Sequence, residues 1–143
     1  MNLLVVDDDR NYRNVLSEVL ALRGHLVHTA ADGAEAYQVI LTGNIQLVVA
    51  DVKMPRVGAA ELHALLRFDP KFRELPFVYI SGYTDALLSD MIKNPDVDFF
   101  LSKKTEIHLL VDLVNRQAEK LATTPTIQTG RSVGSSMFPL LDL

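Results

Sequence analysis

The chain has 143 residues, of which 48% are hydrophobic and 22% charged, and its 18 acidic and 14 basic residues leave a net charge of -4. One globular domain is expected at this length; disordered, collagen-like and coiled-coil classes are excluded, and the acidic balance argues against direct nucleic-acid binding. The lack of cysteine excludes disulfides and thiolate metal sites, and no apolar run reaches the roughly 20 residues of a membrane span. We therefore expect a cytoplasmic protein without membrane contact.

Short apolar runs alternate with segments of helical periodicity along the chain. Predicted strands cover residues 3–6, 25–29, 46–50, 77–81 and 97–101, and predicted helices cover 12–22, 33–41, 59–67, 85–93 and 107–121. The expected N-caps are Asp32 and Thr84, and the expected helix stops are Gly43, Pro70 and Pro95. Only the run at 25–29 alternates between apolar and polar residues, which is typical of an edge strand. The alternation predicts a doubly wound α/β fold with five parallel strands, (βα)5.

Polar residues follow the predicted strands, at the edge where parallel sheets form their sites. Asp7 and Asp8 follow the first strand, Asp51 follows the third, Ser81 ends the fourth, and Lys103 comes after the fifth. If the first and third strands are neighbours, three carboxylates converge and repel one another unless a cation neutralises them. An all-oxygen donor set suits Mg²⁺. With a lysine and a hydroxyl nearby, this pattern predicts metal-dependent phosphoryl transfer onto an aspartate.

Over residues 1–121 the chain resembles the receiver domain of two-component response regulators. The motifs that carry the resemblance are LLVVDDD at 3–9, LVVADVKMP at 47–55, VYISG at 78–82 and FFLSK at 99–103. The resemblance implies a flavodoxin-like sheet with strand order 2-1-3-4-5. Residues 122–143 are expected to be a linker or flexible tail, because 11 of these 22 residues are Ser, Thr, Gly or Pro.

The resemblance also implies a function. Asp51 would accept a phosphoryl group from a sensor histidine kinase or a histidine phosphotransfer protein, and a protein-contact surface would then switch. The implied metal ligands are Asp7, Asp8, Asp51 and the backbone carbonyl of Lys53. Lys103 would pair with the acyl phosphate, Ser81 would hydrogen-bond it, and Phe100 would be the aromatic switch residue. Such a chain is no enzyme towards other substrates, since it catalyses only its own phosphorylation and dephosphorylation.

Three positions depart from the family pattern. Lys104 follows Lys103 where the family usually has proline, and the segment Gly58-Ala59 replaces Asp-Gly before the third helix. Lys53 places a long cation at the mouth of the site, and we expect it to alter the lifetime of the phosphoryl group.

Other interpretations of the same residues remain open at this stage. Asp7 to Asp9 could form a turn and an N-cap, and the four histidines, His25, His28, His63 and His108, have no metal-ligand spacing. A Mg²⁺-dependent phosphohydrolase of the haloacid dehalogenase type, a flavodoxin-like cofactor carrier and an inactive receiver used only for protein contacts are the alternative functions. Leu109 and Leu113 add an apolar stripe to the last helix, which could form a homodimer or partner surface or could belong to a broadly buried helix.

Overall fold

The computed structural model describes residues 1–54, 56–82, 91–104 and 107–123. Within these residues, strands and helices alternate as far as β4, and β5 and α4 complete the described part. In chain order they are β1 (Asn2–Val6), α1 (Arg10–Leu22), β2 (Leu26–Ala30), α2 (Gly33–Thr42), β3 (Leu47–Asp51), α3 (Ala59–Phe68), β4 (Phe77–Ser81), β5 (Asp98–Ser102) and α4 (Ile107–Thr123).

The five strands form one parallel sheet in the order β2-β1-β3-β4-β5. This confirms the predicted fold class and strand order. In the register of β1 and β3, Val6 lies beside Ala50. The next residues along these two strands, Asp7 and Asp51, therefore reach the same edge of the sheet on neighbouring strands.

Helices cover both faces of the sheet. One face packs Leu4 and Val6 of β1 into a buried cluster with residues of α2 and α3, while Leu3 and Val5 are buried on the opposite face. The connections explain this division: α1 leads outward from β1 to β2, and α2 leads back across β1 to β3, so right-handed crossovers put the two helices on opposite faces. The central strands are apolar at nearly every position for this reason.

Local signals in the sequence explain where the first two helices begin. The Asp9 carboxylate accepts hydrogen bonds from the backbone N–H groups of Asn11 and Tyr12 and caps α1. Asp32 caps α2 by accepting from the Glu35 N–H, as predicted, and Gly43 ends that helix. Asp9 thus has the N-cap role that the alternative interpretation of Asp7 to Asp9 foresaw.

Some predicted boundaries differ from the observed ones by one or two residues, as for β5, which begins at Asp98 rather than at residue 97. Strand β2 is an edge strand as predicted, and of its residues only Ala30 is buried. Thr84 and residues 85–90 of the predicted fourth helix lie outside the described residues, as do Pro55 and residues 124–143. The chain divides into two compact units, Met1–Asp112 and Leu113–Leu143. None of the described helices is long and apolar enough to cross a membrane.

Candidate functional site

Three carboxylates meet at the carboxyl ends of β1 and β3. Asp7, Asp8 and Asp51 each offer an oxygen atom within 4.8 Å of the other two. Asp7 is buried, Asp51 is half-buried and Asp8 is exposed. The backbone holds Asp7 in place, because its Oδ1 accepts a hydrogen bond from the Asp9 N–H at 2.9 Å. The cluster thus combines a fixed, buried carboxylate with two that solvent can reach.

The Lys103 ammonium lies inside this acidic cluster. Its Nζ is 3.0 Å from Asp7 Oδ2 and 3.6 Å from Asp51 Oδ2. The backbone N–H of Lys103 donates to the Ser81 carbonyl at 2.7 Å, which ties the end of β5 to the end of β4. Four strand ends, those of β1, β3, β4 and β5, therefore supply the groups that the sequence predicted to meet here.

The acidic cluster is not fully neutralised by this lysine. Burial and then the negative charge of Asp7 raise the pKa of Asp51 to about 6, with a smaller contribution from Asp8, although Lys103 and a hydrogen bond with the Lys53 backbone lower it. Burial disfavours the Lys103 ammonium, but its hydrogen bond with Asp7 and the charges of Asp7 and Asp51 outweigh this and raise the Lys103 pKa. The lysine stays protonated, but its positive charge does not offset the burial of Asp51 and the negative charge of Asp7, so the pKa of Asp51 stays raised.

A cavity of about 430 Å³ opens beside the Asp51 carboxylate. It is lined by Asp51, Lys53, Ser81, Gly82 and Lys103. Ser81 is buried at the end of β4, whereas the Lys53 side chain is exposed. The cavity brings together a carboxylate, a hydroxyl-bearing residue and an ammonium, the groups that could respectively attack, hydrogen-bond and neutralise a phosphoryl group.

The acidic cluster fits a hard divalent cation. Its donors are all carboxylate oxygens, the ligands that Mg²⁺ accepts while keeping part of its water shell. A cation here would also relieve the repulsion that raises the pKa of Asp51. Asp7, Asp8 and Asp51 lie together as predicted, whereas the role of the Lys53 carbonyl as a fourth ligand stays a prediction.

Phe100 lies on the edge strand β5, three residues before Lys103 of the cavity lining. It is half-buried and packs against the core cluster on the α2 and α3 face. Phe99 is also half-buried, and in the register of the sheet it pairs with Val78 while Phe100 pairs with Tyr79. The role of Phe100 as the aromatic switch residue stays a prediction.

The departures from the family pattern have local structural explanations. The Lys104 backbone N–H donates to Ser102 Oγ at 3.1 Å, a hydrogen bond that a proline at this position could not make. Gly58 precedes α3 as its N-cap residue, and its N–H donates to the Glu61 carboxylate at 2.9 Å. The chain thus closes both turns with hydrogen bonds of its own.

Two features of the molecule were not predicted from the sequence. The Tyr12 ring lies under the Lys103 ammonium, 4.5 Å from its centroid to Nζ. At the opposite edge of the sheet, Asp98 is buried and bound by His63 and Arg67. His63 is therefore a buried structural residue. In the last helix Leu109 is exposed but Leu113 is buried, so the predicted apolar stripe is only partly accessible.

Comparisons with known proteins agree with this geometry. The family model described as "Response regulator receiver domain" matches residues 3–115. The response regulator MprA of Mycolicibacterium vanbaalenii is 31% identical over 142 residues, which cover 98% of this chain and 59% of that protein. The sensor kinase CckA of Brucella abortus is 31% identical over 121 residues, 82% of this chain and 12% of that protein.

A solved structure is similar to this chain in its fold. The response regulator protein TrrA from Thermotoga maritima, crystallised in complex with Mg²⁺-BeF, has a TM-score of 0.72 and 28% identity, and the match covers 81% of this chain and 97% of that one. The chain spans between 12% and 59% of the length of eight curated relatives that it matches.

Proposed function

The chain belongs to the response regulator receiver family, and on that premise we propose that Asp51 is the residue that accepts the phosphoryl group in two-component signalling. The observation that carries this proposal is the position of the Asp51 carboxylate. It lines the cavity together with Ser81 and lies 3.6 Å from Lys103 Nζ. Asp7 and Asp8 also carry carboxylates, but Asp7 is buried and paired with Lys103, and neither lines this cavity.

The proposed reaction is a direct transfer between a phosphohistidine and Asp51. An Asp51 carboxylate oxygen attacks phosphorus, the P–N bond of the donor breaks, and its electron pair leaves with the imidazole. Lys103 neutralises part of the charge on the phosphoryl oxygens, and the Ser81 hydroxyl donates a hydrogen bond to one of them. Hydrolysis of the acyl phosphate by water later restores the carboxylate. The chain acts on its own phosphoryl group only.

Asp7, Asp8, Asp51 and the Lys53 carbonyl are the proposed ligands of Mg²⁺. When bound, Mg²⁺ supplies positive charge for the phosphoryl oxygens. The chain's own contribution is to hold two carboxylates at neighbouring strand ends and to keep Asp7 rigid through the Asp9 N–H. Burial and the charge of Asp7 disfavour the ionised Asp51 carboxylate, and a divalent cation bound at this site would stabilise it.

The proposed partners are a sensor histidine kinase or a histidine phosphotransfer protein, because the receiver-containing relatives include sensor kinases.

Ser81 and Phe100 are the proposed switch residues, which would pass the change from the cavity to the β5 edge. A homodimer through α4 is a further proposal, with Leu109 as one of its exposed apolar residues. We place the protein in the cytoplasm, where phosphohistidine donors are made from ATP.

The alternative functions find less support in the site. A haloacid dehalogenase type phosphohydrolase would use the first strand for its nucleophile, yet Asp7 is buried and bound by Lys103. A flavodoxin-like carrier would hold a phosphate after β1, where the cluster is acidic. An inactive receiver would lack part of the set, whereas Asp51, Ser81 and Lys103 share one cavity.

The experiment is to incubate the protein with Mg²⁺ and acetyl phosphate and to measure its intact mass. A gain of one phosphoryl group, absent in Asp51→Asn and in the presence of EDTA, supports the proposal. Asp9→Asn is the matched control, because Asp9 caps α1 outside the cavity and should still permit the gain. A folded wild-type protein that takes up no phosphoryl group would favour the inactive receiver instead.

A further inference from the structure

Tyr12 contacts the site from the first turn of α1. Its ring is half-buried, and Lys103 Nζ lies 4.5 Å from the ring centroid. This distance is within the range in which the face of an aromatic ring attracts an ammonium. The Asp9 carboxylate accepts a hydrogen bond from the Tyr12 backbone N–H at 3.2 Å, so the same residue that starts the helix fixes the position of the tyrosine.

The other contacts of the Lys103 ammonium are of a different kind. Asp7 Oδ2 at 3.0 Å and Asp51 Oδ2 at 3.6 Å are carboxylate oxygens of the cluster that fits a divalent cation. A cation bound there would compete with the lysine for these oxygens, and a phosphoryl group on Asp51 would consume the second of them. The face of the Tyr12 ring cannot ligate a metal or be phosphorylated, so its attraction for the ammonium persists through both events.

The lysine needs such a contact for a physical reason. Its ammonium stands at the end of a flexible four-carbon chain, and without a fixed partner it loses its position to solvent. The segment that carries it turns immediately after β5, at Lys103 and Lys104. The backbone hydrogen bond from the Lys103 N–H to the Ser81 carbonyl fixes the start of the side chain but does not by itself fix the position of the ammonium.

We propose that Tyr12 is a positioning residue that keeps the Lys103 ammonium directed at Asp51 when a cation and a phosphoryl group occupy the carboxylates. The inference rests on the proposed function, because it assigns Lys103 to the phosphoryl group. Tyr12 acts through its ring face and not through its hydroxyl, and this distinction makes the inference testable with two substitutions.

The first test measures the rate of phosphorylation by acetyl phosphate at saturating Mg²⁺. Tyr12→Leu removes the ring face, and we expect a rate about threefold to fivefold lower. Tyr12→Phe keeps the ring and should restore a rate close to that of the wild type. Tyr37→Leu is the matched control, because Tyr37 is a half-buried tyrosine of α2 that packs against the core. Equal losses in Tyr12→Phe and Tyr12→Leu, or no loss in either, would overturn the inference.

The second test does not depend on activity. The Lys103 side chain is observed by NMR with and without Mg²⁺, and the ring current of Tyr12 should shift the signals of its ε-methylene group upfield in both states. The shift should persist in Tyr12→Phe and disappear in Tyr12→Leu. If Mg²⁺ moves these signals to the position of a solvent-exposed lysine in the wild type, Tyr12 does not hold the ammonium.

The two tests also separate the inference from the proposed function. If acetyl phosphate labels neither the wild type nor any variant, the proposed function fails, and the NMR shift alone decides whether Tyr12 holds Lys103 in the Mg²⁺-bound protein. If the wild type is labelled but the shift is lost on adding Mg²⁺, the proposed function stands and the inference is wrong.

Discussion

Two clusters of charged side chains lie at opposite edges of the sheet and surround their carboxylates differently. At the carboxyl ends of the strands, three carboxylates lie together, and Lys103 pairs with two of them, Asp7 and Asp51. At the amino end of β5, the Asp98 carboxylate is surrounded by hydrogen-bond donors. These are His63 at 2.9 Å, the Arg67 guanidinium, and the backbone N–H groups of Lys93 and Asn94. The first cluster has an excess of negative charge, whereas the second has every acceptor occupied.

The pKa values of the two carboxyls shift in opposite directions. Burial and Asp7 raise the pKa of Asp51 to about 6. Burial alone would raise the pKa of Asp98 too, but the hydrogen bonds from Asn94, Arg67, His63 and Lys93 outweigh it and lower the value. A buried charge that is fully hydrogen-bonded serves the fold, while one that lacks sufficient neutralisation is suited to bind a cation or react.

We expect the largest change in stability when the negative charge of Asp98 is removed. Asp98→Asn leaves Arg67 without its buried anionic partner, and we expect the free energy of unfolding to fall by about 3 kcal/mol. Urea denaturation followed by circular dichroism measures this. Asp96→Asn is the matched control, since Asp96 is exposed, and its effect should stay within about 0.5 kcal/mol. A loss below about 1 kcal/mol in Asp98→Asn would mean that the cluster does not stabilise the fold.

The second prediction concerns pH and the same cluster. Burial lowers the pKa of His63 below its ordinary value of 6.5, and Arg67 and Lys93 add to this against the opposing effect of Asp98. The unfolded chain therefore binds a proton that the folded protein resists, so the free energy of unfolding should fall as pH drops below 6.5.

The slope for one such proton is at most about 1.4 kcal/mol per pH unit. His63→Gln should flatten the dependence below pH 6.5. His28→Gln, at an exposed histidine of β2, should leave it unchanged. An identical slope in wild type and His63→Gln would show that His63 is not held neutral by the fold.

Removing a negative charge from the acidic cluster should raise the free energy of unfolding, whereas removing the charge of Asp98 should lower it. Asp51→Asn removes a carboxylate whose raised pKa marks an unfavourable charge, so the metal-free protein should gain about 1 kcal/mol in its free energy of unfolding. Mg²⁺ should then raise the melting temperature of the wild type more than that of the variant. Destabilisation of the metal-free Asp51→Asn protein would contradict the contrast between the two clusters.

The smallest effect is expected at Lys53, which lines the cavity from outside. Lys53→Ala should speed dephosphorylation about threefold, or roughly 0.6 kcal/mol, because water reaches the acyl phosphate more easily. The decay of the phosphorylated mass after removal of acetyl phosphate measures this. Lys104→Ala is the matched control at a lysine outside the cavity lining. An unchanged lifetime in Lys53→Ala would show that Lys53 does not shield the acyl phosphate from water.

The fold and most of the acidic site could be predicted from the sequence because both depend on short, continuous segments of the chain. Each strand is an apolar run that ends in its own polar residue, such as Asp7 after β1 or Ser81 in β4. The parallel order of the strands then brings those ends together. These predictions need no knowledge of which side chains touch.

The remaining features depend on contacts between distant parts of the chain. Tyr12 and Lys103 lie on α1 and just after β5, and the periodicity of α1 marks Tyr12 only as an apolar position. His63 on α3 meets Asp98 at the start of β5, although neither residue stands in a recognisable motif. Only the packing of α3 against the sheet turns a scattered histidine and a strand-end aspartate into a buried pair.

The position of the acyl phosphate in the sequence decides whether Asp51 is the phosphoryl acceptor. The protein is phosphorylated with acetyl phosphate and Mg²⁺, reduced with borohydride, which converts an aspartyl phosphate to homoserine, and cleaved with trypsin. Cleavage after lysine and arginine separates residues 1–10, which carry Asp7 and Asp8, from residues 24–53, which carry Asp51. We expect homoserine at position 51 in the second peptide. Homoserine at position 7 or 8 would contradict it.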